Sequence, residues 1–128
     1  MDPSTLRFSE THEWAHLEGD LCTVGITQFA VKLLTDIVFV ELPEVGQTVS
    51  ARNTLGRIES VKAVSDLYAP VGGVIAAVNE PLSRDTDPIT KDPFGQGWLV
   101  KIRVAPGTTL DGLLTLEQYQ KQIESDEG

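Results

Sequence analysis

The chain has 128 residues, a length typical of one domain that buries a core of its own. Its hydrophobic content of 41% and charged content of 23% are ordinary for a globular protein, and no apolar run reaches the roughly 18 residues of a membrane-spanning helix. Ten basic residues against nineteen acidic ones give a formal net charge of −9. Nucleic acid and anionic membranes are therefore not expected as partners, because both attract clustered lysine and arginine.

The N-terminus and the single cysteine bear on the compartment. The first residues have neither the basic and apolar segments of a signal peptide nor the arginine-rich character of a transit peptide. We therefore expect a bacterial cytoplasmic protein, with a trimmed mitochondrial form as the alternative. Cys22 lies in a strand-like run, which favours a small buried hydrophobe over a reactive thiol.

The first half of the chain is predicted to be β-structure with one short helix. Residues 12–17 and 21–25 read as strands joined by a turn at Gly19. Thr27 is typical of a helix N-cap, and apolar residues then recur at helical spacing through Leu34. Residues 37–40 are apolar and mostly β-branched, so we expect a buried strand there, ended by the turn at residues 43–46.

The second half is predicted to hold further strands and a C-terminal helix. Residues 55–60 and 64–68 read as a strand and its return, and residues 74–78 resume the sheet after Pro70 and two glycines. Residues 98–104 alternate in polarity, as a half-exposed strand does. Thr115 and Gln118 form a capping-box pattern before a helix with a partly apolar stripe, expected to pack on the sheet. We treat residues 1–128 as a single domain, with a core over about 6–122 and an acidic tail over 123–128, of which residues 125–128 are expected to fray.

Lys62 stands out because it is centred in an apparent turn between two strands, within Glu59, Ser60, Val61 and Ala63. A two-residue turn at Val61 and Lys62 has no Gly or Asn, so a type I turn is predicted rather than type I′. Catalytic lysines are activated by burial or a neighbouring cation, and this segment offers neither. The pattern favours covalent attachment by an enzyme with its own activated acyl group. The other interpretation is an ordinary solvated turn lysine.

Five segments, in this order, resemble the glycine cleavage system H-protein family. They are residues 11–14 (THEW), 24–27 (VGIT), 36–43 (DIVFVELP), 59–70 (ESVKAVSDLYAP) and 92–98 (DPFGQGW). The resemblance extends from about Phe8 to Tyr119. It implies a mainly β fold, a lipoyl-domain-like barrel-sandwich hybrid of two antiparallel sheets with short flanking helices, including a C-terminal one. It also implies lipoate in amide linkage on Lys62.

The resemblance further implies a non-catalytic carrier and its partners. A pyridoxal-phosphate glycine decarboxylase would load an aminomethyl group onto the lipoyl arm. A tetrahydrofolate-dependent aminomethyltransferase would remove the methylene and release ammonia, and dihydrolipoamide dehydrogenase would reoxidise the dithiol and reduce NAD. A lipoyl ligase or lipoyltransferase would attach the arm, and the carrier itself is expected to be a monomer. Because the loaded arm ends in a cationic amine, Glu13 and Asp66, at the matching family positions, are expected to shield it, whereas His12 is expected to have a structural or docking role.

The chain departs from the family pattern at Gln28, Lys32, Thr35 and residues 89–91 (ITK). Thr35 stands where the family usually has Gly, so we expect a different backbone conformation at the helix exit. The departures at Thr35 and Thr90 keep open an H-like paralogue used for lipoate relay or for docking to another enzyme.

Other classes of function fit the residues less well. A lipoyl domain of a 2-oxo acid dehydrogenase would lack the segments around Trp14 and Trp98. A biotinyl domain would usually have methionine on both sides of the lysine, where this chain has Val61 and Ala63. An enzyme in its own right finds no support in a nucleophile, metal-ligand or phosphate-loop pattern.

Overall fold

The fold was obtained as a computed structural model, which describes residues 2–127. The strands are β1 (Arg7–Phe8), β2 (Glu13–Glu18), β3 (Leu21–Ile26), β4 (Ile37–Glu41), β5 (Thr48–Val49), β6 (Thr54–Ser60), β7 (Val64–Tyr68), β8 (Gly73–Val78) and β9 (Val100–Arg103). The α-helices are α1 (Gln28–Leu34), α2 (Asp87–Lys91) and α3 (Leu116–Glu127), and short 3-10 helices span Pro3–Thr5 and Glu80–Ser83. Within the described residues, no helix is both long enough and apolar enough to cross a membrane.

Two antiparallel sheets make up the fold, so the predicted mainly β class is confirmed. One sheet has the strand order β1-β2-β3-β9-β8-β5, and the other has the order β4-β6-β7. Neither sheet closes on itself. Their inner faces share one large apolar core, built around residues such as Val24, Ile58, Ile75 and Ile102, all at most 1% exposed. Burial of these side chains is the main force that holds the two sheets together.

Strand β4 differs from its prediction as a buried strand. Ile37 and Val40 face the core, but Val38 and Phe39 are 58% and 42% exposed. The pairing of β4 with β6 is irregular between Ile37 and Phe39, which is the position of a β-bulge. A bulge adds one residue to a strand and thereby breaks the alternation of faces. Two consecutive apolar side chains therefore point outward on this strand.

The C-terminal helix α3 begins as its capping box predicts. The backbone N–H of Gln118 donates to Oγ1 of Thr115 at 3.3 Å, and the backbone N–H of Thr115 donates to Oε1 of Gln118 at 2.9 Å. Tyr119 stacks on Phe8 of β1 with ring centroids 4.8 Å apart, which confirms packing on the sheet. The helix continues through Glu127, so residues 125–127, which were expected to fray, are helical. Gly128 lies outside the described residues.

The exit from α1 has an unusual backbone. Thr35 has φ 48° and ψ 165°, and Asp36 has φ 28°. Thr35 thus keeps the positive φ that glycine favours, although the loss of glycine predicted another conformation. Backbone of this kind is nearly confined to glycine and costs a β-branched residue free energy. The surrounding contacts hold it there: Val31 O accepts from the Thr35 N–H at 3.0 Å, and Asp36 O accepts from the Val61 N–H at 3.2 Å.

Replacing Thr35 with glycine is expected to stabilise the protein. Relief of the positive-φ strain outweighs the greater flexibility of glycine in the unfolded chain, so the free energy of unfolding should rise by about 1 kcal/mol. Urea unfolding of the variant measures the change. Thr90→Gly is the matched control, because Thr90 is an exposed residue inside helix α2, where glycine should cost about 0.5 kcal/mol. Equal destabilisation by both variants would contradict the interpretation.

Candidate lysine attachment site and acidic cleft

Lys62 lies at the tip of the β6–β7 hairpin, as predicted. Glu59 pairs with Val64, and the Ser60 N–H donates to Ala63 O at 2.8 Å, which leaves Val61 and Lys62 as a two-residue turn. Non-glycine residues with positive φ in the described chain are confined to His12, Thr35, Asp36 and Arg52. The turn is therefore not of type I′, which needs positive φ at both central residues.

Two sets of contacts brace this turn. The Ser60 hydroxyl accepts from the Ala63 N–H at 3.0 Å and donates to Ala63 O at 3.2 Å, so one side chain closes the loop. The Val61 N–H donates to Asp36 O, which ties the tip to the start of β4. Ser60 itself is only 8% exposed. The backbone of Lys62 is therefore held firmly, although its flanking side chains are in solvent.

The Lys62 side chain is exposed and makes no ion pair with any other residue that the structure describes. The nearby Glu59 instead lies 3.7 Å from Nε of Arg57, which also pairs with Glu41 at 3.0 Å. Val61 and Ala63 on either side of the lysine are exposed as well. The hairpin thus presents a primary amine that is open to solvent on a rigid support.

The other end of β7 reaches a cleft of about 510 Å³. Four stretches of chain line it: residues 8–13 except His12, 51–52, 68–71, and 109–114 except Asp111. The segment 109–114 is brought there because Phe8 and Leu114 exchange backbone hydrogen bonds of 2.8 Å. Strand β7 rises by about 3.3 Å per residue, so Val64 beside the lysine and Tyr68 at the cleft are about 13 Å apart.

Glu13 is the buried acid of this cleft, at 1% exposure. Its Oε1 accepts from the hydroxyl of Ser9 at 2.6 Å and from that of Thr11, and its Oε2 accepts from the Tyr68 N–H at 3.4 Å. Burial raises the pKa of Glu13, and these hydrogen bonds act in the opposite direction. The side chain is therefore a fixed carboxyl group that holds its proton more tightly than an exposed glutamate does.

Asp66 has a different environment from Glu13. It is exposed on β7, opposite Arg57 of β6, two residues before Tyr68. Asp66 is not among the residues that line the cleft. The fold thus puts Glu13 inside the cleft and Asp66 on the open face of the strand that leads to it.

Three functional candidates at the cleft were missed from the sequence: Ser9, Thr11 and Tyr68. The two hydroxyls reach Glu13 because residues 9–12 form a turn before β2, in which the His12 N–H donates to Ser9 O at 3.1 Å. The contribution of Tyr68 is a backbone N–H that is 55 residues away along the chain, which no local pattern reveals.

With this geometry in view, the chain can be compared with known proteins. Residues 6–126 match the family model described as Glycine cleavage H-protein. A glycine cleavage system H protein of Pseudoalteromonas atlantica is 50% identical over 125 residues, covering 97% of this chain and 97% of the relative. One of Rubrobacter xylanophilus is 48% identical over 125 residues, covering 98% and 97%.

The chain belongs to the glycine cleavage H-protein family. A crystal structure of a glycine cleavage system H protein from Mycobacterium marinum has a TM-score of 0.88 to this chain at 40% identity. The match covers 96% of this chain and 99% of that one. The resemblance inferred from the five sequence segments is therefore confirmed.

Three of the H-protein segments meet in the fold. The indole N–H of Trp14 donates to Pro93 O at 2.9 Å, and the ring lies flat against the backbone of Gly25. A Cβ on Gly25 would lie 2.5 Å from two ring atoms of Trp14, so only glycine fits beneath the ring. These segments are thus parts of one buried contact beside the cleft and not separate functional sites.

His12 and Cys22 have structural environments. Nδ1 of His12 lies 2.7 Å from the hydroxyl of Tyr119, which also lies 2.6 Å from Oγ1 of Thr27, the N-cap of α1. His12 thereby links the start of β2 to helices α1 and α3. Cys22 is fully buried, and burial raises the pKa of its thiol to about 11, which confirms a buried hydrophobe.

Proposed function

We propose that this chain is a lipoylated carrier of the glycine cleavage system, with lipoate in amide linkage on Lys62. The carrier performs no catalysis of its own. It moves an aminomethyl group and reducing equivalents among the pyridoxal-phosphate glycine decarboxylase, the tetrahydrofolate-dependent aminomethyltransferase and dihydrolipoamide dehydrogenase. A lipoyl ligase or lipoyltransferase attaches the arm. The working form we propose is a monomer of the bacterial cytoplasm; the relatives named above are bacterial.

One observation carries this proposal: in a member of the H-protein family, Lys62 is an exposed amine at the tip of a braced hairpin. An acylating enzyme must take the lysine into its own active site, which requires a projecting turn. Burial or an ion pair would oppose that transfer, and neither is found for Lys62 within the described residues. The contacts of Ser60 with Ala63 and of Val61 with Asp36 keep the turn in position while the Lys62 side chain remains exposed.

The residues of this hairpin fit the lipoyl group. When bound, lipoate supplies a dithiolane that accepts a carbon group and two electrons and later returns both. The protein contributes a tether, which raises the effective concentration of the arm at each partner's active site. The roughly 13 Å of β7 between the hairpin and the cleft is comparable with the length of an extended lipoyl-lysine side chain.

Glu13 is the residue we propose to hold the cationic end of the loaded arm in the cleft. The hydrogen bonds from Ser9, Thr11 and Tyr68 fix this carboxyl group at the cleft. A positive charge brought next to it by the arm would offset the cost of ionising a buried acid. Asp66, on the strand between the lysine and the cleft, is proposed to assist from the open face.

The proposal is tested by the intact mass of the apo protein after incubation with a lipoate–protein ligase, lipoic acid and ATP. A single lipoyl-sized gain that maps to Lys62 is expected. No adduct, under conditions that modify a known H protein, would refute the proposal. Reconstitution of the modified protein with the three enzymes should then give glycine-dependent reduction of NAD. Modification without that activity would favour the H-like paralogue used for lipoate relay or docking to another enzyme.

A further inference from the structure

Exposed apolar side chains are concentrated around Lys62. Large hydrophobic residues with high exposure in the described chain include Val38, Phe39, Val61 and Val64, at 58%, 42%, 70% and 61%. We call these four residues the apolar collar. Leu33, in the last turn of α1, is also 64% exposed. Single exposed hydrophobes are ordinary, but a contiguous group of them marks an interaction surface.

The strand register shows that the apolar collar is one surface. Phe39 pairs with Glu59, and Glu59 pairs with Val64, so these three side chains form a row across the outer face of the small sheet. Val61 is joined to the start of β4 by its N–H bond to Asp36 O. The bulge in β4 turns Val38 outward beside Phe39. Lys62 projects from the same end of this face.

Acidic side chains lie next to the apolar collar. Asp36 and Asp66 are exposed and form no ion pair with another residue in the region that the structure describes. Glu59 is half-buried within the row, with Arg57 shared between it and Glu41. The surface therefore has an apolar centre and an acidic rim, which is complementary to a partner with an apolar centre and a basic rim.

We propose that the apolar collar is the docking surface for the enzyme that acylates Lys62. This inference rests on the proposed function. An unmodified lysine has only a four-carbon stem, so its amine reaches a reacting centre only if the enzyme also contacts the residues beside the turn. The enzymes that act on the lipoylated chain are reached by the longer lipoyl-lysine side chain, so they need no such close contact with the residues beside the turn. The acylating enzyme is thus the partner whose surface must cover the collar.

Binding can be measured apart from chemistry with a chain that cannot be acylated. Apo Lys62→Arg keeps the collar and should inhibit acylation of the wild-type chain competitively, with lipoate–protein ligase, lipoic acid and ATP as reagents and intact mass as the readout. Adding Phe39→Ser to that chain should raise its inhibition constant about ten-fold, because an aromatic contact is lost from the interface. Val64→Thr should raise it by a smaller factor and is the milder variant if Phe39→Ser melts early.

Val45→Thr and Val74→Thr are the matched controls, since both valines are exposed but lie outside the collar, at 61% and 41% exposure. Each should leave inhibition by Lys62→Arg unchanged. Equal inhibition by chains with and without Phe39→Ser and Val64→Thr would overturn the proposal. So would a sedimentation result in which the collar variants only abolish self-association. A wild-type chain that gains no adduct would instead refute the proposed function, which separates the two failures.

Discussion

Substitution of Lys62 by arginine is expected to abolish carrier activity completely while the fold is retained. Arginine keeps the positive charge and the exposed position, but its guanidinium group does not form the amide linkage that a lysine amine forms. As an exposed substitution without side-chain partners, it should change the free energy of unfolding by less than about 0.5 kcal/mol. Intact mass after ligase treatment tests attachment of the arm, and glycine-dependent NAD reduction tests carrier activity. Thermal unfolding tests whether the fold is retained.

Lys91→Arg is the matched control for this variant. Lys91 is also exposed, and its ammonium group lies 3.6 Å from Asp87 within helix α2. The Lys91→Arg chain should be lipoylated on Lys62 and active at the wild-type level. A lipoyl-sized adduct on the Lys62→Arg chain would show that the arm is attached elsewhere and would contradict the proposed function.

Replacement of Glu13 by glutamine is expected to leave lipoylation intact but to shorten the lifetime of the aminomethyl-loaded protein by about ten-fold. The reason is the loss of a charge-assisted hydrogen bond to the cationic end of the arm, which is worth about 1.5 kcal/mol or more. Release of label from protein loaded by the decarboxylase with labelled glycine measures the lifetime. Glu10→Gln is the control, because Glu10 also lines the cleft but is exposed. Asp66→Asn should give a shorter lifetime as well, and unchanged lifetimes in both Glu13 and Asp66 variants would reject shielding.

The pH dependence of stability tests the burial of Glu13 separately from its role in binding. Because burial raises the pKa of Glu13 in the folded protein, protonation favours folding. The stability that the group contributes is complete below the ordinary glutamate pKa and is lost as pH rises through the higher folded value. The glutamine of Glu13→Gln does not ionise. The melting temperature of this variant, relative to that of the wild type, should therefore rise as the pH is raised from 4 to 7.5, which is about three units above the ordinary glutamate pKa. A difference that stays constant with pH would contradict this.

The run Ile37–Val40 shows where local pattern and packing diverge. Its composition predicts a strand, and the strand is found, but the prediction that it is buried fails for two of its residues. The hydrophobic composition of a segment indicates that it favours burial, but it does not determine which of its residues face the core. The face is decided by pairing with β6, where Gly56 allows the approach of Glu41 O that a Cβ at 2.0 Å would prevent. The pairing contains a bulge, and the bulge leaves Val38 and Phe39 exposed as part of the apolar collar.

Local chemistry was sufficient for the elements that depend on neighbours in the chain. By itself the sequence determined the turn at Lys62 and the Thr27 and Thr115 caps, because these depend on residues a few positions apart. Its five ordered segments also determined the family. The tertiary structure alone decided that Glu13 is buried, that the Tyr68 N–H reaches it and that segment 109–114 closes the cleft. Those contacts join distant regions of the chain, and their formation depends on how two sheets pack and not on the preference of any single segment.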